Sequence, residues 1–454
     1  MINKLKKIAK NCTCLTSVED IYAYCHDTSP EPDVNMLADI VILPNNVEDI
    51  QKIVKFCNEN RIAVIARGAG TCHTGGCRVK RKPCIILHLS KLNKIIKIDK
   101  ENLIAKVQPN VVLGDFQKQV EDMGLFFPPD PSNLKVSTIG GAISLNSGGP
   151  RTFKYGNTKD YVINLKVVLP NGEIMETSSD IAKDVTGYNL TQLFVGSEGT
   201  LGIIVEATLK LIVKPEQRLV TLAYFDKLEH ATSAVNAIIN NKMTPSTVDL
   251  LDKNTIETIE KYNPTGLLTN FDGALLIEID GNKETIKKEQ EDLSNLLKEN
   301  NAKEIISAKN NEENEKIWRA RRSAFGSVAK LKPDVITEDV VVPRDKIVPL
   351  VEGIKRICKN NNVTVCIMGH VADGNIHPNF ALDLEKEKDI FNKTKDELFE
   401  LALSLGGTLS GEHGIGYEKK KYLNKALDQN AYKYMEKIKI LFDPNNIMNP
   451  DKMF

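Results

Sequence analysis

Three of the chain's seven histidines lie in two glycine-rich blocks. The first reads Gly369-His370-Val371-Ala372-Asp373-Gly374-Asn375-Ile376-His377-Pro378, and the second Gly411-Glu412-His413-Gly414-Ile415-Gly416. Glycine offers an imidazole little apolar packing, so chemistry is a reason for these histidines to be there. Two imidazoles and a carboxylate can hold a divalent cation and leave positions open for substrate. A further imidazole can move a proton near neutral pH. The six-residue gap between His370 and His377 is not diagnostic of a metal site. On spacing alone, imidazoles bonded to backbone carbonyls are the commoner outcome. A guanidinium for an anionic substrate could come from Trp318-Arg319-Ala320-Arg321-Arg322, although such a run also describes a solvated basic helix face.

Several elements must position these groups. Residues 38–64 read as strand, helix, strand, with the helix carried by Ile50, Ile53, Val54 and Phe56-Cys57. A second strand, Ala63-Val64-Ile65, runs into the loop Arg67-Gly68-Ala69-Gly70-Thr71-Cys72-His73-Thr74-Gly75-Gly76. Backbone amides in such a loop can face phosphate. The dinucleotide fingerprint fails because its third glycine would be His73, and the Walker pattern fails at Gly76-Cys77. A diphosphate cradle of another kind and a purely structural turn stay equally open. From Ile85 to Val213 short strands alternate with turns, and glycine is dense between Gly140 and Gly202. Beyond Pro215 the composition turns poor in glycine and rich in Lys and Glu. Amphipathic helices over 228–240 and 283–299 flank a strand at 274–279, which predicts a separate α+β domain. The tail from Ala431 predicts a helix with a Pro/Asn-rich stop.

The bulk numbers narrow the function classes. A chain of 454 residues suggests two or three domains. With 60 basic against 60 acidic residues there is no electrostatic footprint for nucleic acid. No apolar run approaches the ~18 residues of a membrane span, and no apolar stretch follows the basic N-terminal residues, so a cytoplasmic protein without a signal peptide is expected. A peripheral location at a membrane stays open. Nine cysteines without a C-x-x-C pair read as reduced thiols rather than a zinc or iron–sulfur site.

The blocks Ser137-Thr138-Ile139-Gly140-Gly141-Ala142, Asn146-Ser147-Gly148-Gly149-Pro150 and Gly196-Ser197-Glu198-Gly199-Thr200-Leu201-Gly202 are specific. With the C-terminal blocks they resemble the FAD-linked flavoproteins of the vanillyl-alcohol-oxidase fold, in the glycolate oxidase large subunit and D-lactate dehydrogenase branch. The resemblance spans residues 38–454. It implies an α+β protein with a two-part α/β FAD-binding domain over 1–215. A cap domain that reads the substrate would cover 216–410, and a segment returning to the FAD domain 411–454. The implied FAD contacts are Arg67, Gly68, Ala69, Gly70, Thr71, Gly75 and Gly76, then Pro131, Thr138, Gly141, Asn146, Gly148, Gly149 and Tyr155, and finally Gly199, Ile204 and Asn449. Cys72 and His73 depart from the family's small and apolar residues. Relatives that bind FAD covalently use a histidine at the position of Thr71, so non-covalent FAD is expected.

The same resemblance assigns His370, His377 and Glu412 to a divalent metal (zinc, iron or manganese), His413 to the base and Arg321 to the substrate carboxylate. It implies oxidation of a small D-2-hydroxy acid, D-lactate first, by hydride transfer to the flavin. Electrons would pass on to an acceptor such as an electron-transfer flavoprotein or a quinone. Glycolate or D-2-hydroxyglutarate as substrate, another flavin alcohol oxidase, and an electron-transfer subunit of a larger complex are the alternatives. Glu338-Asp339 also falls in a family-like block, without an assigned role.

Overall fold

The strand–helix–strand stretch near the start of the chain opens the first of two structural units. This computed structural model describes residues 1–30 and 36–454. The first unit comprises Met1–Gly148, Asn157–Lys214 and Glu412–Phe454; the second comprises Gly149–Gly156 and Pro215–Gly411.

The first unit holds two sheets. One has four strands in the order Thr13–Leu15, Ile40–Leu43, Cys84–His88, Ala63–Arg67, and the last three run parallel. Helix Val47–Glu59 makes the crossover. It starts where the Asn46 side chain accepts the Asp49 amide at 2.9 Å, which satisfies a donor the helix itself cannot. Its apolar stripe of Ile50, Ile53, Val54 and Cys57 is buried against Ile40, Ile42, Val64 and Ile85. The far edge of this sheet is completed from the C-terminal segment: Val64 forms a parallel bridge with Met448, and its amide donates to the Ile447 carbonyl at 2.8 Å.

The second sheet is antiparallel, in the order Ile95–Asp99, Ile104–Val107, Ile203–Lys210, Val162–Val168, Ile174–Glu176. Its last hairpin turns at Pro170-Asn171-Gly172, where Gly172 has φ +85°. Helices Leu113–Asp122 and Ile139–Leu145 contribute Leu113, Phe116, Val120, Ile139 and Ile143 to its core.

The second unit is built on one large antiparallel sheet. Its order is Glu304–Ser307, Gln217–Phe225, Gly273–Gly281, Thr247–Asp252, Thr364–His370, Asn375–Leu382, Asp334–Thr337, and Val340–Val341 also pairs with Asn375–Leu382. Helices Lys253–Tyr262 and Asn311–Val328 cover one face through Ile256, Ile259, Ala320 and Ala324, packed on Leu222, Leu251, Leu276 and Met368. The α+β class is therefore observed.

Candidate active site

The two histidines of the first C-terminal block belong to one hairpin of the second unit. Strands Thr364–His370 and Asn375–Leu382 are joined by the turn Val371 to Gly374. Gly374 has φ +86°, and a Cβ there would lie 2.0 Å from the Val342 carbonyl oxygen, so only glycine fits this turn. In the register His370 faces Asn375 and His377 faces Met368. The histidines are thus diagonal neighbours on one face of the sheet, the relation in which long side chains meet. Their ring centroids are 5.2 Å apart, and each ring offers a nitrogen within 4.8 Å of the other's. Both residues are buried.

Asp249, on the neighbouring strand, sits opposite His370. Its Oδ1 is 2.8 Å from His370 Nδ1, and its Oδ2 accepts from Arg321 Nε on helix Asn311–Val328. One fully buried carboxylate therefore joins an imidazole to a guanidinium. Burial alone would raise the Asp249 carboxyl, but the charges and hydrogen bonds of Arg321 and His370 prevail and hold it at about 2. A carboxylate on Nδ1 is the arrangement that, in metal sites, orients a histidine to bind through Nε2 and makes the ring a better donor. Arg321 uses its Nε on Asp249, and a guanidinium carries further donors on its Nη groups.

Asp339 is equally buried. It accepts from Asn375 Nδ2 at 2.6 Å, from Ser410 Oγ at 2.5 Å and from the Gly411 amide at 2.9 Å, and it lies 3.9 Å from His377 Nδ1. Its three bonds tie the residue that precedes Glu412 to the strand of His377. The donor chemistry (two imidazole nitrogens on one face, and a carboxylate next in sequence to an anchored glycine) suits a borderline divalent cation.

Glu412 and His413 open the last segment of the first unit. The His413 carbonyl accepts from Thr74 Oγ1 at 3.3 Å, and its ring stacks on His73 at 4.8 Å with 27° between the planes. Glu198 Oε1 accepts the Ile415 amide at 2.6 Å and Oε2 the Gly416 amide at 2.7 Å. Burial pushes the Glu198 carboxyl up, and these two amides pull against it.

The loops of the first unit surround a cavity. Arg67, Gly68, Ala69, Gly70, Thr71 and Gly76 line it from the first loop, and Thr138 and Gly141 from the second. Gly199 and Ile204 add a third wall, and Asn449 a fourth. Gly75, Pro131, Asn146 and Gly148 share the unit but are not among the described residues of that lining. Gly149 and Tyr155 belong to the second unit, where the Tyr155 hydroxyl donates to Asp280 at 2.7 Å. Arg67 folds beneath its own loop and donates to the His26 carbonyl.

A Cβ on Gly70 (φ +75°) would lie 2.1 Å from the Arg67 guanidinium, and one on Gly68 would lie 2.6 Å from Thr138 Oγ1. Bare backbone is what lets these loops close up. Asn449 staples them, donating to the Gly76 carbonyl at 3.1 Å and the Glu198 carbonyl at 2.8 Å. Backbone amides, small hydroxyls and apolar walls from several loops fit an extended dinucleotide.

Residues 38–178 match a family described as an FAD binding domain, and residues 214–453 match FAD linked oxidases, C-terminal domain. The chain belongs to the FAD-linked oxidase family. It is 43% identical to the glycolate oxidase subunit GlcD of Bacillus subtilis, over 95% of this chain and 92% of that one. It is 34% identical to a D-lactate dehydrogenase of Anaerostipes hadrus, over 91% and 89%. Among solved structures, p-cresol methylhydroxylase with substrate bound aligns with TM-score 0.84 at 17% identity, covering 100% of this chain and 96% of that one, a likeness of fold.

Three polar residues of this FAD-linked oxidase family member escaped the reading of its sequence as site residues. Asp249 could have been noticed as a lone acid inside the strand Thr247-Val248-Asp249-Leu250-Leu251. Asp339 lay in a block whose role was open. Glu198 lay between glycines that were read for their backbone alone.

Proposed function

We propose that this family member oxidises a short D-2-hydroxy acid, D-lactate first, to the 2-oxo acid. The observation that carries the reading is the buried Asp249 bridge between His370 and Arg321. It couples a ligand-type imidazole to a guanidinium suited to a carboxylate, the two recognition elements that a 2-hydroxy acid requires. Glycolate is the second reading, favoured by the relative that shares 43% of its residues.

The FAD-binding role falls to residues 1–215 and 411–454, and the substrate role to 216–410. When bound, FAD supplies the two-electron acceptor for the hydride from C2. His370, His377 and Glu412 would hold a divalent cation, which would supply a Lewis acid for the substrate hydroxyl. His413 takes the hydroxyl proton, a task for an imidazole. Arg321 grips the carboxylate through its Nη groups and so orients C2. Asp249 fixes both partners, and Asp339 fixes the backbone before Glu412.

Electrons leave to a diffusible acceptor, an electron-transfer flavoprotein or a quinone. Among the described residues no helix is long and apolar enough to cross a membrane.

The test is anaerobic flavin absorbance during addition of D-lactate, glycolate or L-lactate, with and without prior chelation. Bleaching by D-lactate, lost after EDTA and restored by a divalent metal, is the expected result. Bleaching by glycolate alone selects the second reading. A flavin that none of these acids bleaches overturns both.

A further inference from the structure

We infer that Glu198 is a positioning residue for His413, acting through the backbone of the loop that carries it. The inference rests on the reading of His413 as the base.

Glu198 stands in the loop Gly196 to Thr200 with φ +53°, a conformation that an L residue adopts at a cost. Its own amide donates to the Ser144 carbonyl at 2.8 Å, and its carbonyl accepts from Asn449 Nδ2. The backbone at Glu198 is thus fixed on both sides, and the side chain projects from a rigid base. The two carboxylate oxygens take two consecutive amides, Ile415 at 2.6 Å and Gly416 at 2.7 Å. A carboxylate that receives two adjacent N–H groups defines the orientation of the peptide between them.

Close packing sets the distance. Gly414 has φ +84°, and a Cβ there would lie 2.8 Å from Glu198 Oε1 and 2.9 Å from Leu145 Cδ2. The side chain of residue 413 leaves the backbone immediately before this clamp. On the other side Thr74 Oγ1 donates to the His413 carbonyl, and the Thr74 carbonyl accepts from Tyr417 and Glu418 at 2.8 and 3.0 Å. His413 is thus suspended between two anchors, Thr74 and Glu198, and both belong to loops that carry residues of the flavin cavity wall. Glu198 and Gly199 line that cavity themselves. The geometry ties the position of the base to the cavity wall through the Glu198 carboxylate.

Glu198→Gln tests this with little change of shape. Its amide offers one acceptor where two are needed, so one of the two loop N–H groups faces a donor. A shift of the loop by a fraction of an ångström should cost about 10- to 100-fold in the rate of flavin reduction. Rates and substrate affinities come from rapid-mixing reduction of the purified holoenzyme, with Glu198→Gln, His413→Asn and the double variant side by side. Flavin content and melting temperature are measured on each.

The expected result is a slow Glu198→Gln enzyme with full flavin, a substrate Kd within about threefold of the parent's, and no further loss when the change is made on top of His413→Asn. Equal losses in both backgrounds, or a loss that follows flavin content, overturn the inference and leave Glu198 a wall residue. A His413→Asn enzyme that reduces its flavin at the parent's rate overturns the base itself, which is the separate failure. Should Glu198→Gln not fold, Gly414→Ala presses on the same carboxylate from the other side and is read by the same cycle.

Discussion

The cavity of the first unit and the polar face of the second are built from opposite materials. The cavity leans on backbone: glycines such as Gly68 and Gly70 without room for a methyl group, and loops stapled by Asn449. The second unit presents side chains instead, with His370, His377, Asp249 and Asp339 all buried, His370 hydrogen-bonded to Asp249 and His377 3.9 Å from Asp339. A site made of backbone is damaged by adding atoms. A site made of buried charge is damaged by removing a partner, because the group left behind has lost its compensation.

The largest effect should follow from taking away a side-chain donor. His377→Ala is expected to bring turnover to background while FAD stays bound, with metal per chain falling in elemental analysis. Retained turnover would mean that the side-chain region takes no part in the reaction. Asp249→Asn should be milder, about 10- to 100-fold in metal affinity or activity, the usual size for a group that orients a ligand. Its flavin spectrum should not change; a loss of FAD would blur the contrast between the two regions.

Gly70→Ala is the reverse experiment. The left-handed backbone costs about 1–2 kcal/mol for an L residue, and the new methyl meets Arg67. FAD should bind about tenfold more weakly in a fluorescence titration of the flavin-free protein, with metal per chain unaffected. Parent-like FAD affinity would show that the loop has slack.

One further effect is shared by the two regions. Burial pushes Cys72, Cys84 and Cys358 up to about 12 and Cys366 to about 11, from an ordinary 9.0. Between pH 9 and those values the unfolded chain has released protons that the folded chain keeps. The thiols' contribution to stability is therefore complete below pH 9 and falls as pH rises, by about 1.4 kcal/mol per pH unit for each such thiol at most. Lys452, held down to about 8 by burial, opposes this between pH 8 and its ordinary 10.5. Burial lowers Lys439 as well, so two lysines stand against nine raised thiols. Urea midpoints should drop from pH 9 to 10, and Cys358→Ala should flatten the slope; a level profile would contradict the burial of these thiols.

What could be read from the sequence follows the same division. Local patterns were legible: the strand–helix–strand at residues 38–64, the turn at Asn171-Gly172 and the helix over Leu228–Asn240 all depend on neighbours in the chain. Individual glycines announced the cavity loops, since a glycine marks a place where backbone must come close. The buried charges did not announce their pairing. Asp249, His370 and Arg321 lie on two strands and a helix far apart in sequence, and nothing in their spacing states a register. The order of the large sheet was hidden for the same reason, because neighbouring strands such as Thr247–Asp252 and Thr364–His370 are not consecutive.

The edge pairing of Val64 with Met448, and the two bonds of Asn449, have a consequence for the order of assembly. The loop at residues 67–76 is made early in synthesis, yet its staple is translated only after the whole of the second unit. Domains tend to fold in the order in which they are made, and contacts of such sequence separation are slow to form. The cavity wall is consequently completed last: the loop and the adjoining Cys77 already bond to Thr28 and Asp27, but a nascent chain lacking Asn449 has not yet joined Gly76 to Glu198. Closure of the cavity then becomes a late event in the life of the chain, one that follows synthesis of the second unit.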